Sequence, residues 1–336
     1  MVETENADEL LLLGLDVGGT SSRALLTDAH GRTVGTGHAG GGNPNTHPPD
    51  RAVEQVARAA RTALAETAPE RVSAVVLGMA GISKLTDPAV AGMFEQAWHM
   101  LGLRCPVRTV SDSEVAFAAG TAEPDGTVLI AGTGSIVTRI AEHRSERTLG
   151  GYGWLLGDEG SAFWLGREAV STALRALDLG EEKDDPLVAS VLNELLPDSA
   201  RGNEPYSMLV RRIVALLGNG PPVRLAELAP LVTASAADGG GKAAEILSRA
   251  ARTLAADTLA VRDDSESSPI VLAGSLLSGE GTLDEAVRAE LRARSAAPLV
   301  TAGSGAAGAA WLAAMPLVGA EHARRLHDRL LGGGHG

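Results

Sequence analysis

The stretch from Val128 to Gly166 reads VLIAGTGSIVTRIAEHRSERTLGGYGWLLGDEGSAFWLG, and it decides how the rest of the chain is interpreted. Its first half is an apolar run that stops at the turn GTGS (132–135) and then resumes, which is the pattern of strand, glycine turn and strand. Its second half places glycines among aromatic and acidic side chains and becomes helical from Ser161. A segment so poor in core-forming side chains suits a backbone that must approach a ligand closely.

Composition limits the classes of function. A chain of 336 residues with 44% hydrophobic and 21% charged residues is long enough for two domains. The net charge of −13 argues against nucleic-acid binding, but backbone dipoles can still hold a phosphorylated ligand on an acidic protein. Cys105 is the single cysteine, which excludes an intramolecular disulfide and a cysteine-rich metal site within one chain.

Nothing near the start resembles a membrane or export segment. The apolar run at 10–15 is far too short to span a bilayer. Acidic residues precede it, whereas a secretory signal would be basic there. We therefore expect a cytoplasmic protein with no membrane partner.

The chain begins with strands at 10–17, 23–27 and 33–38, joined by tight turns. A dinucleotide-binding unit would have a helix after its first strand, so DVGGT (16–20) is not a dinucleotide fingerprint. A turn that offers Gly-Gly-Thr backbone and a hydroxyl beside a carboxylate suits phosphate and magnesium. Strands at 127–131, 136–141 and 147–150 repeat this organisation around GTGS, a weak internal duplication followed mostly by helices.

Two polar positions permit more than one interpretation. The loop at 40–49 offers Asn43 and Asn45, which either face a ligand or only form Asx turns. Asp112 follows the strand at 107–110 and opens a helix, so it is either an N-cap or a chemical group at the carboxyl end of a strand. Position alone leaves both interpretations open.

Taken together, four motifs resemble the sugar-kinase branch of the actin-like ATPase superfamily, specifically N-acetylglucosamine kinases of the BadF/BadG type. DVGGT (16–20) is similar to the first phosphate motif and LIAGTGS (129–135) to the second. GGYGWLLGDEGS (150–161) is similar to the substrate segment of hexosamine kinases, and VLAGS (271–275) to the adenosine motif. The motifs occur in the family's order and span most of the chain.

The resemblance implies an α/β fold of two ribonuclease-H-like (actin-like ATPase) domains around a cleft. Each domain would be built on a mixed five-stranded sheet, and helices would enlarge the second. The N-terminal lobe would cover residues 1–120 and be completed by a C-terminal helix at 320–332. The C-terminal lobe would cover residues 121–319.

The resemblance also implies a phosphotransferase that uses ATP and Mg²⁺ to phosphorylate the 6-hydroxyl of N-acetylglucosamine. Asp112 would be the general base, and Asp16 would reach Mg²⁺ through water. The residues implied to contact the sugar are Asn43, Asp112, Ser135, Ile136, Gly151, Tyr152, Gly153 and Asp158. The residues implied to contact ATP are Gly18, Gly19, Thr20, Gly132, Thr133, Gly134, Ala226, Gly274 and Ser278.

Several alternatives stay open or are disfavoured. Tyr152 stands where related kinases tend to have Trp, so glucosamine and an N-acetylmuramic acid derivative remain alternative substrates. Asn45 remains an alternative to Asn43, and a homodimer is left open. A non-catalytic sensor has no need of a base such as Asp112, and dehydratase-activating relatives hold an iron–sulfur cluster that needs more thiolates than Cys105 supplies.

Overall fold

The computed structural model describes residues 9–180, 185–197, 204–237, 239, 241–263 and 265–332. The strands are β1 Leu11–Val17, β2 Ser21–Asp28, β3 Thr33–Gly40, β4 Val72–Met79, β5 Val107–Ser111, β6 Gly126–Ala131, β7 Ser135–Ala141, β8 Arg144–Gly150, β9 Ile270–Ala273 and β10 Leu299–Thr301. The α-helices are α1 Pro49–Ala63, α2 Pro88–Met100, α3 Asp112–Ala118, α4 Ala162–Leu179, α5 Pro186–Leu195, α6 Tyr206–Gly218, α7 Ala229–Ala237, α8 Gly241–Ala260, α9 Thr282–Arg292, α10 Gly305–Ala314 and α11 Ala320–Leu331.

The first sheet has the strand order β3-β2-β1-β4-β5. Strands β1, β2 and β3 form the predicted antiparallel meander, while β4 runs parallel to β1 and β5 runs parallel to β4. Since the carboxyl ends of β1, β4 and β5 meet at one edge, polar residues that follow these strands are brought together there.

The second sheet has the strand order β10-β9-β6-β7-β8. Strand β8 begins at Arg144, three residues earlier than the sequence pattern predicted. The reason is a tight hairpin turn in which Glu142 and His143 both have positive φ, 48° and 59°. Strand β8 therefore starts directly after this turn.

The helical region after the second sheet holds one further difference from the prediction. The pattern predicted one helix over 224–236, but a 3-10 helix covers Pro222–Leu228 and α7 begins only at Ala229. Pro230 lacks a backbone N–H and therefore favours the first turn of a new helix over the interior of a continuing one.

The chain divides into two compact units. The first comprises residues 1–128, 139–146 and 300–336, and the second comprises residues 129–138 and 147–299. The sequence-based division ran the C-terminal lobe to residue 319, whereas the structure groups α10 with the first unit. Its Ala-rich surface packs on β1, where a side chain on Gly14 would meet the backbone of Ala306 and Ala310. None of the described helices is long and apolar enough to cross a membrane.

Candidate active site

The DVGGT turn of the first unit exposes backbone donors. The N–H of Gly18 bonds back into the turn, and its carbonyl accepts the N–H of Gly42 at 3.2 Å. The carbonyl of Gly19 accepts from His47 Nε2 at 2.7 Å. These bonds fix the turn and leave the N–H groups of Gly19 and Thr20 without an acceptor among the residues that the structure describes. Two adjacent free amide groups can donate together to one anion.

Two carboxylates lie at the same edge of the first sheet. Asp16 pairs with Gly78 of β4, which in turn pairs with Val110 of β5. Asp112 follows β5 directly. The backbones of Asp16 and Asp112 are therefore separated by one intervening strand, a distance of about 10 Å.

The N-cap of α3 is Ser111. Its Oγ accepts the N–H of Glu114 at 3.2 Å, which satisfies one of the free amides at the start of the helix. Asp112 is the first residue of the helix, and its Oδ1 accepts the N–H of Ser113, at 3.0 Å. The interpretation of Asp112 as the cap is therefore wrong, and its carboxylate is available for another role.

Both carboxylates have raised pKa values. Desolvation, reinforced by the negative charge of Asp16, raises the pKa of Asp112 to about 6. Desolvation also raises the pKa of Asp16, and the nearby Arg23 opposes this effect. A titratable group with a pKa near the working pH, placed at the end of a strand, is the arrangement that general-base catalysis requires.

The asparagine loop closes over the end of β4. The Oδ1 of Asn43 accepts the N–H of Asn45 at 2.8 Å, so the predicted Asx turn is present. Both side chains lie against Gly81, where an added Cβ would meet Oδ1 of Asn43 and lie 2.9 Å from Nδ2 of Asn45. Either amide can therefore present polar atoms beside the carboxyl edge of the sheet, and the assignment of Asn43 stays a prediction.

The GTGS turn of the second unit repeats the arrangement of the first turn. The N–H of Gly132 bonds back into the turn, to the carbonyl of Gly134 at 2.9 Å. The carbonyls of Gly132 and Thr133 accept the first two N–H groups of α4, from Ala162 at 2.8 Å and Phe163 at 3.2 Å. Within the described chain the N–H groups of Thr133 and Gly134 have no acceptor. The free donors are again two consecutive amides.

Ser135 ties this turn to the glycine-rich segment at 150–161. Its N–H donates to Oδ1 of Asp158 at 3.1 Å, and its Oγ donates to the carbonyl of Glu159 at 2.9 Å. Its own carbonyl accepts the N–H of Gly151 at 3.1 Å. The structure thus brings together the turn and the segment that the sequence analysis assigned to phosphate and to sugar.

Asp158 is held in an uncommon backbone conformation. Its φ of 59° lies in the left-handed region, which non-glycine residues rarely adopt. Its carboxylate occupies the space beside Gly134, where an added Cβ would lie 2.8 Å from Oδ1. Desolvation raises the pKa of Asp158, and the N–H of Ser135 opposes this. Such strain at a polar residue points to a functional position.

The other residues assigned to the sugar lie near the hydrogen bonds between Ser135 and the glycine-rich segment. Gly151 lies against Ile136, since a Cβ on Gly151 would be 2.8 Å from Cδ1 of Ile136. The side chain of Tyr152 is 62% exposed and lies over Gly157. Gly153 accepts two backbone bonds that shape the loop. This surface is open to a ligand.

Of the other residues of the second unit that were assigned to ATP, the structure places only Gly274 against the start of the GTGS turn. Gly274 follows β9 with a φ of 91°, and a side chain there would meet the backbone of Ala131, at the start of the GTGS turn. Ser278 is exposed four residues later. Ala226 lies in the 3-10 helix at 222–228, partly buried against the core, and its contact with ATP stays a prediction.

The structure adds residues that the sequence analysis missed. Ser111 caps α3, His47 holds the carbonyl of Gly19, and Gly305 lies against the carboxylate of Asp16. The adjacent Ser111 and Asp112 are a local sequence signal for a helix cap. No local sequence signal marks His47 or Gly305, because their contacts depend on tertiary packing.

The sheets and the two glycine turns define an α/β protein with the actin-like ATPase fold, and the predicted fold class is confirmed. The chain matches the BadF/BadG/BcrA/BcrD ATPase family over residues 13–313, and it belongs to that family.

Three relatives illustrate the similarity. The N-acetylmuramic acid/N-acetylglucosamine kinase of Clostridium acetobutylicum is 37% identical over 115 residues, which cover 34% of this chain and 36% of that protein. The N-acetyl-D-glucosamine kinase of Dictyostelium discoideum is 26% identical over 180 residues, covering 50% of this chain and 55% of that protein. The matched segments therefore span about a third of the first relative's length and about half of the second's. A crystal structure of a candidate N-acetylglucosamine kinase from Chromobacterium violaceum superimposes with a TM-score of 0.68 at 27% identity, covering 91% of this chain and 99% of that one.

Proposed function

We propose that this protein is an ATP-dependent amino-sugar kinase that transfers the γ-phosphoryl group of ATP to the 6-hydroxyl of N-acetylglucosamine. The observation that carries the proposal is the pair of matching turns, each with two consecutive free amide donors, together with the Asp112 carboxylate. The kinases named among the relatives support the same class of acceptor, an amino sugar.

Backbone donors would hold the phosphates of ATP. In each turn two consecutive carbonyls accept hydrogen bonds from other segments of the chain. The free N–H groups of Gly19, Thr20, Thr133 and Gly134 are therefore held in place and need not reorganise to bind an anion. Donors fixed before the reaction stabilise charge that develops on a transferring phosphoryl group. The first N–H groups of α4 are already bonded to the GTGS turn, so the turn rather than the helix end supplies the donors.

Asp112 would accept the proton of the sugar 6-hydroxyl. Its pKa of about 6 leaves it mostly ionised at neutral pH. To act as a base it must come within about 3 Å of the hydroxyl oxygen, so that the proton leaves as the oxygen attacks phosphorus.

Mg²⁺ fits the first unit as a cofactor held largely by ATP and water. The described residues contain no cluster of three or more metal-binding side chains, whereas Asp16 lies beside the first turn and close enough to Asp112 to raise its pKa. Magnesium typically takes one or two carboxylates together with substrate phosphates. When bound, it would neutralise charge on the phosphates, and Asp16 would orient it through water.

The sugar would bind at the segment around Asp158, which Ser135 ties to the GTGS turn. Asn43 stays a predicted sugar contact. N-acetylmuramic acid is a second candidate substrate, because the C. acetobutylicum relative is named for both sugars.

The direct test is coupled measurement of ADP release with ATP and Mg²⁺. The panel of acceptors would contain N-acetylglucosamine, N-acetylmuramic acid, glucosamine, N-acetylgalactosamine and glucose. We expect turnover to be highest with N-acetylglucosamine. ADP release that no sugar stimulates, in a protein that still binds ATP, would contradict the proposal and favour a non-catalytic sensor.

The raised pKa of Asp112 predicts the acid limb of the pH profile. Only the ionised carboxylate accepts a proton, so kcat/KM should be constant above pH 7 and fall tenfold per pH unit below about 6. An unperturbed aspartate would place this limb near 3.8. The profile of kcat/KM for the sugar at saturating Mg²⁺·ATP checks this expectation. A rate that stays constant down to pH 5 would assign the base to another group.

A further inference from the structure

Gly305 begins α10, and the absence of its side chain leaves space for Asp16. A Cβ on Gly305 would lie 2.5 Å from Oδ2 and 2.6 Å from Cγ of Asp16. The φ of Gly305 is outside the left-handed region, so alanine could adopt the same backbone. Contact with the carboxylate is therefore the main obstacle to a side chain at this position.

Helix α10 cannot move away to make room. A side chain on Gly14 would already meet the backbone of Ala306 and Ala310, so helix and strand are in backbone contact on one side. Gly308 packs on α3 in the same way, with Val115 and Ala119 as its neighbours. Because close-packed backbone does not shift cheaply, the Asp16 carboxylate would have to rotate instead.

We propose that Gly305 is a positioning residue for Asp16, whose carboxylate can keep its place against the start of α10 only while position 305 has no side chain. The inference rests on the proposed function, in which Asp16 orients Mg²⁺. It adds a residue from the far end of the chain that no motif identifies. A methyl group at 305 would reorient a metal-binding carboxylate and leave the fold intact.

The test compares Gly305→Ala with Gly308→Ala in the full-length protein. The affinity for Mn²⁺ in the presence of ADP would be followed by electron paramagnetic resonance, and Tm by calorimetry. Gly305→Ala should weaken Mn²⁺ binding by about tenfold or more, as displacement of a supporting contact does at metal sites. Its Tm should fall less than that of Gly308→Ala, because its clash is with the side chain of Asp16 and not with backbone.

Gly308→Ala is the matched control, since it is in the same helix and its clash is with backbone. It should lower Tm clearly more than Gly305→Ala does, while the folded protein keeps the wild-type affinity for Mn²⁺. If both variants lose Mn²⁺ affinity in proportion to their loss of Tm, Gly305 has only a structural role and the inference is wrong.

The Asp16→Asn variant separates this inference from the proposed function. If Gly305 acts through Asp16, adding Gly305→Ala to Asp16→Asn should weaken Mn²⁺ binding no further. Loss of Mn²⁺ affinity in Asp16→Asn but not in Gly305→Ala would overturn the inference alone. Unchanged affinity in Asp16→Asn would overturn the metal assignment of the proposed function, and with it the inference.

Discussion

Asp112→Asn is expected to lower kcat by about 10² to 10⁴-fold, the usual contribution of a general base. The amide cannot accept the proton of the sugar hydroxyl, although its size and position are nearly those of the carboxylate. The affinity for Mg²⁺·ADP should change little, because the free amides of the two turns are unaffected. Steady-state kinetics and calorimetric ADP binding measure these quantities.

The fold should tolerate this substitution. Ser111 rather than Asp112 caps α3, so the helix keeps its N-cap. The substitution also removes a desolvated carboxylate whose charge is repelled by Asp16. The control is Ser111→Ala, which should cost about 1 kcal/mol of stability through the lost cap and keep kcat within a few-fold. The reverse result, an active Asp112→Asn with a lowered Tm, would make Asp112 structural.

Substitutions of Asp158 should separate two roles of one carboxylate. Glycine keeps the positive φ and removes the acceptor of the Ser135 N–H, so Asp158→Gly should weaken both ADP binding and sugar binding. A hydrogen bond to a charged group contributes about 1.5–3 kcal/mol, which corresponds to a loss of roughly 10- to 150-fold in ADP affinity. Asparagine tolerates the left-handed region and keeps one acceptor oxygen, so Asp158→Asn should affect mainly the sugar.

Titration calorimetry with Mg²⁺·ADP in the absence of sugar distinguishes the two variants. The matched control is Glu159→Gln, because Glu159 contacts Ser135 through its backbone carbonyl and the side chain is not needed for that bond. Wild-type ADP affinity in Asp158→Gly would mean that this carboxylate does not support the phosphate turn.

Local patterns predicted most of the architecture. The strand–turn–strand organisation around DVGGT and GTGS follows from apolar runs broken by glycines, and both turns are present with the expected free backbone donors. The break before α7 was not predicted, because propensity summed over the region outweighed the single Pro230.

The site could be predicted only in part from the sequence. Motifs located the two turns and the segment around Asp158, but not the bonds through which Ser135 joins them. The cap of α3 was ambiguous, since serine and aspartate at adjacent positions are both good caps. The contact of Gly305 with Asp16 arises from packing of distant segments, which hydrophobic periodicity does not encode.

The most direct test of the proposed reaction is the position of the transferred phosphoryl group. The product formed from N-acetylglucosamine, ATP and Mg²⁺ would be examined by proton–phosphorus correlation spectroscopy, beside a parallel reaction with Asp112→Asn. We expect the new phosphorus signal to correlate with the two protons on C6 of the sugar, and to be absent from the variant reaction over the same time. Correlation with the anomeric proton, or the appearance of inorganic phosphate alone, would contradict the assignment of this protein as a 6-hydroxyl amino-sugar kinase.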